Sequence, residues 1–190
     1  MLNKILSGAK EIAIGGHVRP DGDCVGSCMG LRQYIIENYP DKKVTVYLEE
    51  IPDSFQFLKG IEEIRSEIPE NKVYDLFICL DCGDKGRLGF SAPLFEQAAH
   101  TFCVDHHISF AMDNVIRPDA SSTSELVYEL LDKKRISKET AEALYLGIVH
   151  DTGVFQYSCT SPDTMRAAAV LMEKGIDAPE IIHDTFYEKT

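Results

Sequence analysis

One histidine and two aspartates lie close together in Gly15-Gly16-His17-Val18-Arg19-Pro20-Asp21-Gly22-Asp23-Cys24-Val25-Gly26-Ser27. Pro20 and Gly22 set the backbone of a turn, and the offset between Asp21 and Asp23 lets a kinked loop aim both carboxylates at one point. A neutral imidazole beside hard oxygen donors is a ligand set for a divalent ion of the Mn, Fe or Zn kind. Pro-Asp-Gly is also ordinary turn chemistry, so the rest of the chain must supply partners. It does so at Asp81-Cys82-Gly83-Asp84, at Asp105-His106-His107 and at His150-Asp151-Thr152-Gly153. Two carboxylates about 4 Å apart repel by roughly 4 kcal/mol at an effective dielectric near 20. Several in one cleft therefore disfavour folding unless protons or cations neutralise them. If these segments converge, a pair of divalent ions answers the charge.

The elements that must position these groups alternate along the chain. Apolar runs at Glu11–Ile14, Val44–Leu48, Asp75–Leu80 and His100–Val104 read as short strands, and Val25–Asn38 carries an apolar stripe at helical spacing. Ala92–Ala99 reads as a short helix with Ser91 as cap and Pro93 in its first turn. Strands interleaved with helices predict an α/β domain, its central sheet mainly parallel with helices on both faces. Past Asp119 the pattern is helical. Starts are read at Ser121–Ser124, at Ser137 and at Ser161-Pro162, with Gly175 closing the helix Thr164–Lys174 and Asp177-Ala178-Pro179-Glu180 opening the last. Three of the polar clusters follow predicted strands directly. In a parallel sheet those strand ends share one edge, where ligands bind, and the cluster at Asp151 ends a helix that can reach the same crevice.

Taken in order, His17-x-x-Pro20-Asp21-x-Asp23 with Gly26-Ser27, then Asp81, then Asp105-His106-His107, then Asp151-Thr152-Gly153, resemble the four motifs of the DHH phosphoesterase superfamily. Arg19, Gly22, the stretch Pro118–Leu126 and Gly147–Phe155 are similar to its bacterial nanoRNase and phosphoadenosine-phosphate phosphatase branch. They are less similar to family II inorganic pyrophosphatases, which carry Thr between the two aspartates of the first motif.

The resemblance implies that His17 and Asp21 hold one metal ion, that Asp23, His106 and Asp151 hold the other, and that Asp81 bridges them. It implies two divalent ions, with Mn2+ suited to this oxygen-rich set. The reaction implied is hydrolysis of phosphoester bonds in short oligoribonucleotides or 3',5'-bisphosphorylated nucleotides, by attack of a metal-bridged hydroxide. A cyclic dinucleotide phosphodiesterase or an inorganic pyrophosphatase would use the same site, and a non-catalytic binding module is the contrasting class. His107 is expected to face the phosphate, and Asp105 to orient a histidine. Arg19 and Arg87 are the phosphate contacts proposed. Asp84 is read as capping its turn, His150 as a supporting residue, His100 and His183 as uninvolved, and Tyr34, Tyr39, Tyr128 and Tyr145 as helix-face residues. Members of this branch continue into a smaller C-terminal substrate domain with a glycine-rich loop. No such loop precedes Glu188-Lys189-Thr190, so residues 1–190 are expected to form the catalytic domain alone.

Composition sets the surroundings. The formal net charge of -12 argues against a broad surface for duplex DNA or an anionic membrane. No apolar run is long enough to span a bilayer, and no secretory signal is evident, so a cytoplasmic protein is expected. The six cysteines are expected to be reduced. Cys79 and Cys82 bracket a strand end instead of opening a helix, which is not the setting of a redox pair. Short single-stranded oligonucleotides or nucleotides are the expected partners, and a homo-oligomer is compatible with the sequence.

Overall fold

The structure is a computed structural model that describes residues 2–107 and 115–186. The chain runs through α1 (Leu2–Ile5), β1 (Glu11–Gly15), α2 (Gly22–Asn38), β2 (Lys43–Tyr47), β3 (Leu76–Leu80), α3 (Ala92–Gln97), β4 (His100–Asp105) and β5 (Val115–Ile116). It then turns helical, with α4 (Thr123–Leu130), α5 (Lys138–Asp151), α6 (Pro162–Met172) and α7 (Ala178–Phe186). The expected α/β class holds. All pairings among the described strands are parallel, in the order β2-β1-β3-β4-β5.

The register explains where chemistry can sit. Gly15 pairs with Cys79 and Leu80 with Val104, so β1, β3 and β4 end side by side. The chain leaves β1 in one direction to reach β2 and returns on the other side of β1 as β3. The crevice beyond a parallel sheet opens where the order reverses in this way. His17 follows β1 and Asp81 follows β3, so the two flank that point.

Burial supports the sheet on both faces, unequally. The larger core joins Ile12, Ile14, Ile78 and Leu80 to Val25, Met29, Leu144 and Ile148 of α2 and α5. The smaller one packs Ala13, Tyr47, Phe77 and Leu94 on the opposite face, beneath α3. Leu76–Leu80 is buried on both faces, as a central parallel strand must be. No described helix is long and apolar enough to cross a membrane.

Caps fall mostly where the sequence places them. Ser137 accepts from the Thr140 amide, and Ser161 and Thr164 form a reciprocal capping box. Ser91 is a correction. Its hydroxyl donates to the Leu88 carbonyl at 2.9 Å and gives α3 no side-chain cap. A second correction concerns α2, which begins at Gly22 and not at Val25. The Asp21 carboxylate accepts from the amides of Asp23 and Cys24, both at 3.1 Å, so the helix starts inside the apparent loop. The short strand β5 and helix α1 carried no periodic signal. Of the segment after His107, residues 108–114 are not described, and the chain end at 187–190 likewise lies outside the described residues.

Candidate metal centre

Asp81 sits at the middle of the crevice. Its Oδ2 is 3.5 Å from His17 Nε2, while its Oδ1 is 3.6 Å from both His106 Nε2 and His107 Nδ1. Its backbone takes a φ of 53°, the left-handed region, which Asp tolerates better than most residues. That conformation turns its carboxylate into the crevice as the chain leaves β3.

The remaining donors close around it. His17 Nδ1 lies 2.9 Å from the Val18 carbonyl, so it donates there and leaves Nε2 to face Asp21 Oδ1 at 3.6 Å and Asp81. His106 Nε2 faces Asp151 Oδ2 at 3.1 Å, Asp81 Oδ1 at 3.6 Å and Asp23 Oδ2 at 3.8 Å. Yet this buried nitrogen makes no hydrogen bond of acceptable geometry. Buried polar atoms are rarely left so, and a site for a bound ion is one of the standard reasons. Groups whose ligand atoms lie within 4.8 Å of one another include His17 with Asp21 and Asp81, Asp23 with His106 and Asp151, and Asp81 with His106 and His107. The donor chemistry fits divalent metal ions.

Asp23 shows what the sequence did not reveal. It is fully buried in the first turn of α2, and its two oxygens accept from the Thr123 amide at 2.6 Å and the Ser124 amide at 2.8 Å. The Thr123 hydroxyl also donates to Asp81 Oδ1 at 3.1 Å. The small polar run, which the sequence marks as a helix start and as part of the family resemblance, therefore grips two site carboxylates from the start of α4. Ser122 does cap that helix, accepting from the Glu125 amide. Buried Glu125 in turn accepts from the Ser121 hydroxyl and from Thr164. Charge-assisted bonds of this kind orient a carboxylate oxygen, and where such an oxygen binds metal, losing the partner typically costs 10–100-fold in metal affinity. Thr123→Val keeps the backbone amide and removes the hydroxyl. It is expected to weaken Mn2+ binding by roughly tenfold, measured by calorimetric titration, with little change in the melting temperature.

The other residues singled out in the sequence lie as follows. His107 Nδ1 is 2.7 Å from Asp105 Oδ1, and Asp105 also accepts from the backbone amides of His107 and Gly83. Arg87 lies near His107 across Gly83, whose added Cβ would be 3.7 Å from His107 and 3.8 Å from Arg87 Nη1. Arg19 is exposed, with a φ of 53° and its amide 2.7 Å from Glu49 Oε2. Asp84 is exposed and caps the Gly86 amide, as expected. His100 opens β4 at the strand end opposite the crevice, and His183 belongs to α7. The tyrosines Tyr34, Tyr39, Tyr128 and Tyr145 are buried or half-buried on or beside helices. His150 is an addition. With Asp21 and Asp151 it forms a further cluster of donors, its ring edge-on to Phe55. Only its position next to Asp151 could have indicated this.

Without metal, the crevice must hold protons. Burial lowers the affinity of His17 for its proton, but Asp21 and Asp81 outweigh that and raise its pKa to about 10. His106 rises to about 9, where Asp151, Asp23 and Asp81 overcome burial. Burial, reinforced by Asp81 and Asp151, drives Asp23 well above the usual carboxylate range. Both histidines are therefore protonated at neutral pH in the metal-free protein. A raised histidine stabilises the fold fully below its unfolded value near 6.5, and that contribution is lost as pH rises through about 9 to 10. Metal ions compete with these protons. Mn2+ binding is expected to release protons and to tighten between pH 6 and pH 8. Calorimetry in two buffers of different ionisation enthalpy checks this, since identical heats in both would contradict it.

Comparison with known proteins adds an independent line. A family model described as the DHH family, N-terminal domain, matches residues 11–148. The Bacillus subtilis (strain 168) protein named bifunctional oligoribonuclease and PAP phosphatase NrnA is 28% identical over 196 residues, covering 99% of this chain and 61% of the relative. The chain thus spans less than two thirds of that relative's length. The cyclic-di-AMP phosphodiesterase GdpP of the same organism is 31% identical over 196 residues, covering 93% of this chain and 30% of its own. Among solved structures, an exopolyphosphatase-related protein from Bacteroides fragilis superposes with a TM-score of 0.87 at 28% identity, over 100% of this chain and 60% of the other. The family match takes in His17, Asp21, Asp23, Asp81, His106 and His107 together with the sheet edge that assembles them, and the chain belongs to the DHH family.

Proposed function

We propose that this chain is a metal-dependent phosphoesterase acting on short oligoribonucleotides or 3',5'-bisphosphorylated nucleotides, in the cytoplasm. The observation that carries the reading is His106 Nε2, buried among three aspartates without a hydrogen bond. In this reading His17 and Asp21 would hold one ion and Asp23, His106 and Asp151 a second, with Asp81 shared between the two sets. Two divalent ions, best Mn2+, supply charge neutralisation and an activated water for attack on phosphorus.

The protein's own groups do the rest. Thr123 and Ser124 hold Asp23 so that its oxygens need not reorganise during the reaction. Asp105 lies below the usual carboxylate range: burial pushes it up, but bonds from the His107 ring and amide and from the Gly83 amide prevail. It raises the pKa of His107 in turn, which favours the protonated ring, the form that can donate to a phosphoryl oxygen or to the leaving oxygen. Arg87, near it across Gly83, and Arg19, two residues after His17, would add positive charge toward a bound phosphate. The relatives named for oligoribonuclease and PAP phosphatase activity support this substrate class.

A panel with Mn2+ tests the proposal directly. Hydrolysis of di-adenylate or adenosine 3',5'-bisphosphate is expected to exceed that of cyclic di-AMP and pyrophosphate. A folded, Mn2+-loaded chain that turns over none of the four would refute it.

A further inference from the structure

Segments far apart in the chain meet at His150. This half-buried residue lies in the last turn of α5, next to the proposed ligand Asp151. Its ring stands edge-on to Phe55, with centroids 6.1 Å apart, and lies tilted against Phe186 at 5.8 Å. Phe55 is buried and closes the short turn Asp53–Phe55, while Phe186 ends α7. On a third side the ring abuts backbone. A Cβ added to Gly22 would lie 2.5 Å from His150 Cγ and 2.6 Å from its Cδ2. Gly22 opens α2 between Asp21 and Asp23, and its φ lies outside the left-handed region, so glycine here serves this close approach.

The remaining side faces the crevice. His150 Nδ1 is 3.8 Å from Asp151 Oδ1, and donor atoms of Asp21, His150 and Asp151 lie within 4.8 Å of one another. Asp21 belongs to one of the two proposed ligand sets and Asp151 to the other. Behind the ring, α7 is nine residues long, with Ala178 and Ile181 as its buried residues. A helix this short is marginal in water by itself and is held by packing. Phe186 seats its last turn against the larger core, on the His150 ring.

We propose that α7 acts on the metal centre through His150, a positioning residue: with Phe186 docked, the imidazole is wedged against the Gly22 backbone and fixes the spacing of Asp21 and Asp151. The inference rests on the metal-dependent reading and adds to it a lever that lies outside the crevice. Protein interiors are close-packed and transmit strain, so a ring that loses one wall shifts against the others. Here those other walls are the turn that carries Asp21 and the helix end that carries Asp151. Phe186 offers no donor atom to a metal ion, so any effect of its loss on metal affinity passes through packing. The wedge itself needs no ion, and the link is therefore present in the metal-free protein as well.

Phe186→Ala, Phe186→Leu, His150→Ala and the double variant Phe186→Ala/His150→Ala test this against the parent. Phe186 is half-buried, so the fold is expected to survive, and circular dichroism checks it. Mn2+ dissociation constants are measured by calorimetry well below the melting temperature. His150→Ala is expected to bind Mn2+ about tenfold more weakly, the scale of a lost ligand-orienting partner, and Phe186→Ala roughly three- to tenfold more weakly. Phe186→Leu refills the space and is expected to recover most of the affinity. Both losses act through one ring, so the double variant is expected to bind no more weakly than His150→Ala alone. Hydrogen exchange is then followed in the metal-free proteins. Phe186→Ala is expected to speed exchange in the last turn of α5 and at residues 21–24, beyond α7 itself. Unchanged Mn2+ affinity in Phe186→Ala, additive losses in the double variant, or faster exchange confined to α7 would overturn the proposal. Loss of one equivalent of Mn2+ in His150→Ala, with Phe186→Ala at full affinity, would overturn it too and make His150 a ligand. A parent chain that binds no Mn2+ would refute the metal-dependent reading instead, and the exchange pattern would still decide whether α7 reaches the Asp21 turn through His150.

Discussion

Asp81→Asn is expected to lose metal binding at both clusters and to reduce phosphoester hydrolysis by roughly 10³-fold or more, at or above the upper end of what one removed electrostatic contact costs. Asparagine is the cleaner replacement, because it keeps the shape and tolerates the φ of 53° seen at this position. Alanine would add backbone strain and blur the reading. The size of the effect follows from position. Asp81 lies within 3.6 Å of His17, His106 and His107 and takes the Thr123 hydroxyl, and among the described residues no other carboxylate serves so many of the crevice's groups at once. Asp84→Ala is the control. That side chain is exposed and caps one amide, so its loss is expected to cost little in metal content or activity. Elemental analysis of the purified variants against the parent decides the matter. Equal metal loss in the two would mean that Asp81 does not join the clusters.

Gly147→Ala is expected to act on the same centre from the opposite side. Gly147 lies in α5 where that helix meets the start of α4, and an added Cβ would fall 1.9 Å from Ser124 Oγ and 2.7 Å from Asp23 Oδ1. Neither neighbour can yield easily. Ser124 holds Asp23 through its amide, and both are fully buried. Gly26 makes the matching approach from α2, where a Cβ would lie 2.5 Å from the Ala143 carbonyl. Overpacking a core commonly costs about 1–3 kcal/mol, and here the strain is delivered to the Asp23 carboxylate, a proposed metal ligand. The variant should melt at lower temperature and bind Mn2+ some 10–100-fold more weakly, the scale set by disturbed ligand orientation. Normal Mn2+ affinity in a destabilised variant would separate packing from ligand positioning and contradict this account.

How much was legible depended on whether the physics was local. Strands such as Leu76–Leu80 could be read because burial on both faces demands an unbroken apolar run. The caps at Ser137 and Ser161 could be read because a side-chain oxygen reaches an amide only two or three residues on. Ser91 satisfied the same pattern and still failed, since the Leu88 carbonyl competed for its hydroxyl. The start of α2 was misplaced because Asp21 and Asp23, read as a pair on one loop, do different things. Asp21 caps the helix and Asp23 is part of it.

The identities and order of His17, Asp21, Asp23, Asp81, Asp105, His106, His107 and Asp151 are properties of the sequence, and each follows a strand or ends a helix that local patterning specifies. That much determined the α/β class, the sheet edge and the donor chemistry. The reversal of strand order between β1 and β3, which sets His17 opposite Asp81, was decided only by the fold. So were the grip of Thr123 and Ser124 on Asp23, a hundred residues away in the chain, and the joining of His150 to Asp21. Contacts of that kind leave no periodic trace, because their partners are set by the packing of α4 and α5 on α2 and not by spacing along the chain.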